Sequence, residues 1–216
     1  MNSLLWSAIA DLWPRIMEHP FLRELHEGTL DEAAFRRFLA QDYLYLEGFA
    51  RVLLLGGAHA PSGHAMRMLA AHAQNVFLVE KALHEKLTRQ LGSDPGALHA
   101  VQQGPATVAY SDFLMRHGLR GDFPRIVAAL LPCYWIYREV GLQLLALGGS
   151  PHPAYQEWIE TYAGEEYGQA VGEMLSVSDT LPVERAGELA AIFRQGTLHE
   201  HAFWQQAYGA RKEETD

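Results

Sequence analysis

The stretch DEAAFRRFLAQDYLYLEGFARVLLLGGAHA, Asp31 to Ala60, decides the fold class of this chain. Its apolar side chains Phe35, Phe38, Leu39, Tyr45, Leu46, Phe49 and Val52 recur every three or four residues, so they line one face of a helix. Asp31 is placed to cap the first turn, and Glu32 follows where a carboxylate favours the helix dipole. Pro61-Ser62 ends the run. One residue interrupts the stripe. Asp42 lies in its middle, where a carboxylate is costly unless it is paired or hydrogen-bonded.

The same periodicity continues outward from this segment. A second helix starts at Ser62 and is expected to end near Gly92, and Ser93 to Gly104 reads as a loop. Helices follow over about Pro105 to His117 and Phe123 to Leu147. The run Gly148-Gly149-Ser150-Pro151-His152-Pro153 breaks the chain. Shorter helices are expected from Ala154 to about Tyr162 and from Gly164 to about Leu175. Pro182 can open a last long helix to about Tyr208. No segment alternates as a half-buried strand does, and there is no internal repeat. The expectation is an all-α, single-domain helical bundle over residues 1–209, with a charged tail, RKEETD, at the end (210–216).

Composition narrows the function. The chain has 216 residues and a formal charge of -9, and it carries no basic stripe, which speaks against a nucleic-acid partner. The longest uncharged apolar run, Ile126 to Tyr137, is 12 residues, well short of the roughly 20 that a membrane span needs. The start, MNSLLWSAIADLW, does not resemble a secretory signal. With one cysteine there is no internal disulfide, and a cytoplasmic location is expected.

That cysteine, Cys133, sits in LPCYWIYREVG (Leu131 to Gly141), after a proline inside a helical pattern. Pro132 is expected to kink the helix and to free a carbonyl near the thiol. Tyr137, four residues on, shares the face of Cys133, and Asp42 and Tyr45 form a second such pair. Two more carboxylates fall on apolar faces. Glu80 interrupts Met66, Leu69, Ala73, Val76, Leu83 and Leu87, and Glu200 interrupts Leu189, Ile192, Phe193, Phe203 and Ala207. Taken singly, each acid has a structural explanation in an ion pair, and the cysteine has one as a packed residue. Together with Tyr110 and Tyr162 they suggest a shared polar pocket for a flat, nitrogen-rich ring, stacked by aromatics and bound at its edge by a carboxylate. A metal site is a rival reading of the 11 histidines: Glu80 and His84 are four apart, and Glu139, Glu166 and His199 could join them. The paired Glu-x-x-His pattern of di-iron bundles is absent, as are a Walker loop and a Gly-x-Ser-x-Gly elbow.

Several blocks, QDYLYL (Gln41 to Leu46), AHAQ (Ala71 to Gln74), ALLPCYWIYREVG (Ala129 to Gly141), HPAYQEWIETYAG (His152 to Gly164) and HEHAFW (His199 to Trp204), resemble the TenA proteins. These are the thiaminase II, or aminopyrimidine aminohydrolase, family. The resemblance covers nearly the whole chain, and Leu-Pro-Cys-Tyr-Trp points to the branch with an active-site cysteine. It implies a haem-oxygenase-like helical fold, a homotetramer, and a site that needs neither haem, metal nor another cofactor. The implied substrate is thiamin or a related 4-amino-2-methylpyrimidine, hydrolysed to the hydroxymethylpyrimidine in thiamin salvage or degradation. By position, Cys133 would be the nucleophile, Asp42 would bind the aminopyrimidine edge and Glu200 would shuttle protons. Tyr45, Tyr110, Tyr137 and Tyr162 would line the pocket. Two positions depart from the family pattern: His199 and His201 flank Glu200 where aromatics are usual, and Ala163 stands in place of a frequent glycine. The alternatives are a metal-dependent oxidase on the same scaffold, using Glu80, His84, Glu139 and His199, and a non-catalytic aminopyrimidine-binding or regulatory protein.

Overall fold

Three of the longer helices begin where the sequence supplies a side-chain cap. In the computed structural model, which describes residues 1–209, three short helices lead in: α1 (Asn2–Ser7), α2 (Trp13–Met17) and α3 (Pro20–Glu27). The expected charged tail, residues 210–216, lies outside the described residues. Asp31 then accepts the Ala33 amide at 3.0 Å and starts α4 (Glu32–Ala58). Ser62 does the same for Ala65 at 3.2 Å, opening α5 (Gly63–Asn75). A π-turn, Val76–Glu80, joins α5 to α6 (Lys81–Gln90). The following loop contains a 3-10 turn, Pro95–His99, before α7 (Pro105–Leu119). Asp122 caps α8 (Phe123–Ala146), and α9 (Pro153–Ala163) and α10 (Glu165–Asp179) come next. A short 3-10 turn, Val183–Arg185, precedes α11 (Ala186–Gly209).

Three expectations need correction. The single helix expected from Ser62 to Gly92 is divided by the π-turn, which adds a residue and shifts the phase of everything after it. Downstream, Lys81, His84, Leu87 and Thr88 are buried, while Leu83 is only half-buried. Upstream, Met66 is 48% exposed, because the packed face of α5 is turned toward His72. The His72 ring is held between the Tyr134 hydroxyl at 3.1 Å and the Glu173 carboxylate at 2.8 Å. Second, α10 continues past Leu175 to Asp179, anchored by buried Met174 and Ser178. Third, Pro182 opens the 3-10 turn, and α11 itself begins at Ala186. Helix α8, by contrast, continues through Pro132 from Phe123 to Ala146.

Helix α8 is the axis of the bundle. Ile126, Val127, Ala128, Ala129, Leu130 and Leu131 are all fully buried, so this part of the helix is apolar on every side and must be surrounded. Helices α4, α7, α9, α10 and α11 pack against it. Full burial of a Leu, Ile or Phe side chain contributes about 1.5–3 kcal/mol, so this core is the main source of stability. Two glycines set how closely the neighbours approach. A Cβ on Gly196 of α11 would lie 2.6 Å from the Pro132 ring, and one on Gly141 of α8 would lie 2.8 Å from the Ala163 amide of α9. The first contact matters most for function. Pro132 seats against Gly196, and Cys133, next on α8, lies within electrostatic reach of Glu200, one turn further along α11. Among the described residues there is no strand, and no helix is long and apolar enough to cross a membrane.

Candidate active site

Helices α4, α7, α8, α9 and α11 each contribute polar side chains to one interior region. From α4 come Asp42, 5% exposed, and Tyr45, 2% exposed. Tyr110 on α7, Tyr137 on α8, Tyr162 on α9 and Glu200 on α11 are all buried, and Cys133 is a free thiol with partial exposure. Asp42, Glu80 and Glu200 all act electrostatically on the Cys133 thiol, so the residues picked from separate stretches of sequence do come together.

Glu200 accepts a hydrogen bond from the Tyr110 hydroxyl at 2.6 Å. Burial pushes its carboxyl up to about 8; the Tyr110 bond opposes this shift and the charge of Asp42 adds to it. At neutral pH Glu200 therefore holds its proton. Cys133 is also pushed well above the ordinary thiol range, first by burial and then by the neighbouring acids Glu200, Glu80 and Asp42. The Tyr45 hydroxyl acts in the other direction, favouring the thiolate. That hydroxyl is fully buried and has no hydrogen-bond partner among the described residues. Its ring lies 4.7 Å from that of Tyr110. An unpaired polar atom beside a nucleophile is an opening for a ligand's polar edge.

On the other side Asp42 meets His84: its Oδ2 lies 2.8 Å from the His84 Nε2. The His84 Nδ1 lies 2.6 Å from the Glu80 carbonyl oxygen. Burial works against the charged imidazole, but the bond and charge of Asp42, with the Glu80 carbonyl, outweigh it and raise the His84 pKa. Glu80 is itself pushed up to about 7 by burial and by the charge of Asp42. A wall of aromatics closes the site. Tyr137 and Tyr162 lie 5.0 Å apart, and Trp158 and Trp204 pack against Tyr137 at 5.9 and 5.4 Å. Burial keeps these phenols protonated. A cavity of about 290 Å³ adjoins the centre, lined by His72, Glu80, Tyr134, Glu166 and Tyr167 among others.

The four residues named for the metal-dependent oxidase do not assemble. Glu80 and His84 face Asp42, but Glu139 accepts from the Trp135 indole at 3.2 Å, and His199 stacks on Tyr110 with ring centroids 5.2 Å apart. Among the described residues no three His, Cys, Asp or Glu side chains are placed to hold one ion. The histidines flanking Glu200 serve as props. His199 backs Tyr110, and His201 meets His19 edge-on at 4.9 Å. Burial lowers the pKa of both. Two site residues escaped the sequence reading. His84 was grouped with metal ligands and proves to be the partner of Asp42, a pairing that only the phase shift at the π-turn reveals. Tyr167, whose hydroxyl donates to the Cys133 carbonyl at 3.0 Å, lies on α10 and carries no spacing signal.

With this geometry in view, the comparisons with known proteins fall into line. The family model described as TENA/THI-4/PQQC matches residues 6–210. The chain belongs to that family. It is 36% identical over 96% of its length, and 88% of the relative's, to a Bacillus subtilis (strain 168) protein named aminopyrimidine aminohydrolase. Among solved structures it is similar to a TenA homologue from P. horikoshii OT3, with a TM-score of 0.90, 29% identity, and 96% and 98% of the two chains covered. A Shewanella denitrificans OS217 domain with a heme oxygenase-like fold superposes with a TM-score of 0.77 at 14% identity, covering 98% of this chain and 94% of its own. That likeness shows the fold alone. The haem-oxygenase-like helical bundle expected of the family is the fold observed.

Proposed function

We propose that this protein is an aminopyrimidine aminohydrolase of the thiaminase II type, acting on 4-amino-2-methylpyrimidine compounds with Cys133 as nucleophile. The observation that carries the reading is that the Cys133 thiol lies within electrostatic reach of both a buried acid with a raised pKa, Glu200, and a carboxylate tied to an imidazole, Asp42. The curated relative is named for this activity.

Each residue then has a task. Asp42 accepts hydrogen bonds from the aminopyrimidine edge, while Tyr137 and Tyr162 flank the ring and Tyr45 offers its unpaired hydroxyl beside the thiol. Because the thiol is held protonated, sulfur must lose its proton as it adds to the ring, and a ring nitrogen takes it up. Electron density from the ring then expels the substituent on the exocyclic methylene, and Glu200 protonates the departing amine. Water adds to that methylene and returns a proton to Glu200. Loss of the thiol, with the ring-nitrogen proton, restores the aromatic ring and Cys133. The balance is amine plus water giving alcohol plus ammonia. The same reading assigns the chain to the cysteine-containing branch, a cytoplasmic location and a homotetrameric state, with no nucleic-acid partner. The charge of -9 supports the last point, and exposed Phe77, Leu78 and Val79 are consistent with contacts between copies.

The decisive experiment is ammonia release from 4-amino-5-aminomethyl-2-methylpyrimidine, in chelator, by the protein and its Cys133→Ser variant. Turnover by the first and a loss of roughly a thousandfold or more in the second is the expected result. Equal turnover would remove Cys133 from the mechanism.

A further inference from the structure

His84 is 0% exposed, and both of its ring nitrogens face oxygen. Nδ1 is 2.6 Å from the Glu80 carbonyl and Nε2 is 2.8 Å from Oδ2 of Asp42. A backbone carbonyl can only accept, so Nδ1 carries a proton. A neutral ring with its proton there would present a lone pair at Nε2 to a carboxylate oxygen at hydrogen-bond distance. Two acceptors cannot share that contact without a proton between them. Either the ring is an imidazolium facing a carboxylate, or the ring is neutral and Asp42 is an acid. The charged groups acting on the ring favour the first: Asp42 from α4 and Glu80 from the preceding turn are both acidic, and together they raise the His84 pKa against burial.

The π-turn brings about this arrangement. Continued without interruption, the α5 stripe would turn Glu80, Leu83 and Leu87 inward. The extra residue moves the buried face to Lys81, His84, Leu87 and Thr88 and leaves Glu80 and Leu83 half-buried. The Thr88 hydroxyl then donates to the His84 carbonyl at 2.7 Å and helps fix the backbone there.

We propose that His84 is a positioning residue for the hydrolysis. Locked by the Glu80 carbonyl, it fixes the rotation of the Asp42 carboxylate. Oδ2 is occupied by the imidazolium and Oδ1 is left for the amino edge of the substrate. The role rests on the aminopyrimidine-hydrolase reading of Asp42, whereas the doubly protonated ring does not.

Two measurements test it on the intact protein. Nitrogen NMR at pH 7, with the His84 signals assigned by their absence in His84→Gln, should show protons on both ring nitrogens. A single ring N–H overturns the proposal. Kinetics of His84→Ala and His84→Gln give the second readout. KM should rise roughly tenfold or more in the alanine variant, the size expected for a lost hydrogen bond to a charged group. In the glutamine variant, which keeps a donor for Asp42, the rise should be smaller. In both, kcat should change much less than KM, since Cys133 and Glu200 are untouched. A KM unchanged in both variants overturns the proposal while leaving the hydrolase reading intact. A wild-type protein without turnover overturns the hydrolase reading and the role toward substrate together, even with the imidazolium observed.

Discussion

Asp122 and Glu188, at the start of α8 and the first turn of α11, carry the same functional group as Glu80 and Glu200 in the interior, yet they titrate in opposite directions. Asp122 receives two hydrogen bonds from the Arg185 guanidinium, at 3.0 and 2.9 Å, and caps α8 through the Arg125 amide. Its carboxyl is held below the usual range by Arg185 first, against a small burial effect, and Glu188 is lowered in the same way by Arg185 and Arg125. Among the described residues no arginine acts on Glu80 or Glu200. Burial, with the charge of Asp42 added, pushes Glu200 to about 8 and Glu80 to about 7. One cluster uses its carboxylates to join helices. The other holds buried acids with raised pKa values, and the cost of burying them is borne by the aliphatic core of α8.

Glu200→Gln should break this contrast most severely. Glutamine keeps an acceptor for the Tyr110 hydroxyl but can neither give nor take back a proton, so kcat should fall by about a hundredfold to ten-thousandfold. Stability should move the other way. Because the folded pKa is raised from 4.5 to about 8, the folded chain retains a proton that the unfolded chain has released. The contribution of this group to stability is therefore full below about 4.5 and is lost as pH rises through about 8. The Tm of the variant should gain on that of the wild type as pH rises across this window. A variant-minus-wild-type difference that stays flat or falls across this window would show that Glu200 does not keep a raised pKa in the folded chain.

The paired cluster should respond in stability alone. Asp122→Ala removes the cap of α8 and the partner of Arg185, and the expected loss is about 1–2 kcal/mol in denaturant unfolding. Most of that belongs to the cap, since the ion pair is half-exposed and screened. Turnover should be unchanged. A large drop in kcat would mean that the start of α8 is coupled to Cys133 in a way the contacts do not indicate.

Legibility in the sequence followed regularity of the backbone. Asp42 and Glu200 stood out because α4 and α11 are uninterrupted, so a carboxylate on the apolar stripe is a carboxylate in the core. Cys133 and Tyr137 were readable together for the same reason, since α8 keeps its period through Pro132. Glu80 was singled out on a stripe that assumed an unbroken helix, and the π-turn changed which neighbours face inward. The pairing of His84 with Asp42 joins residues 42 apart, which no local period encodes. The helices before Asp31 were missed because they are short, with six, five and eight residues, too few to establish a period. Family resemblance supplied the roles of the site residues; periodicity supplied only their faces.

The smallest effect on stability should come from Tyr45→Phe, and it separates the two clusters most cleanly. A buried hydroxyl without a partner contributes no hydrogen bond to lose, and its removal relieves a desolvated polar group. The ring, packed against Tyr110, Phe49 and Phe203, is retained. Unfolding free energy should therefore stay within about 0.5 kcal/mol of wild type. The thiol, however, loses a neighbouring hydroxyl that can hydrogen-bond its ionised form, against burial and three acids. Alkylation of Cys133 by a small thiol reagent should slow, and turnover should fall roughly tenfold, the size of one modest hydrogen bond to a charged group. A stable variant with slowed alkylation would place Tyr45 with the proton-holding interior cluster. A destabilised variant with unaltered thiol reactivity would move it to the structural side, alongside Asp122.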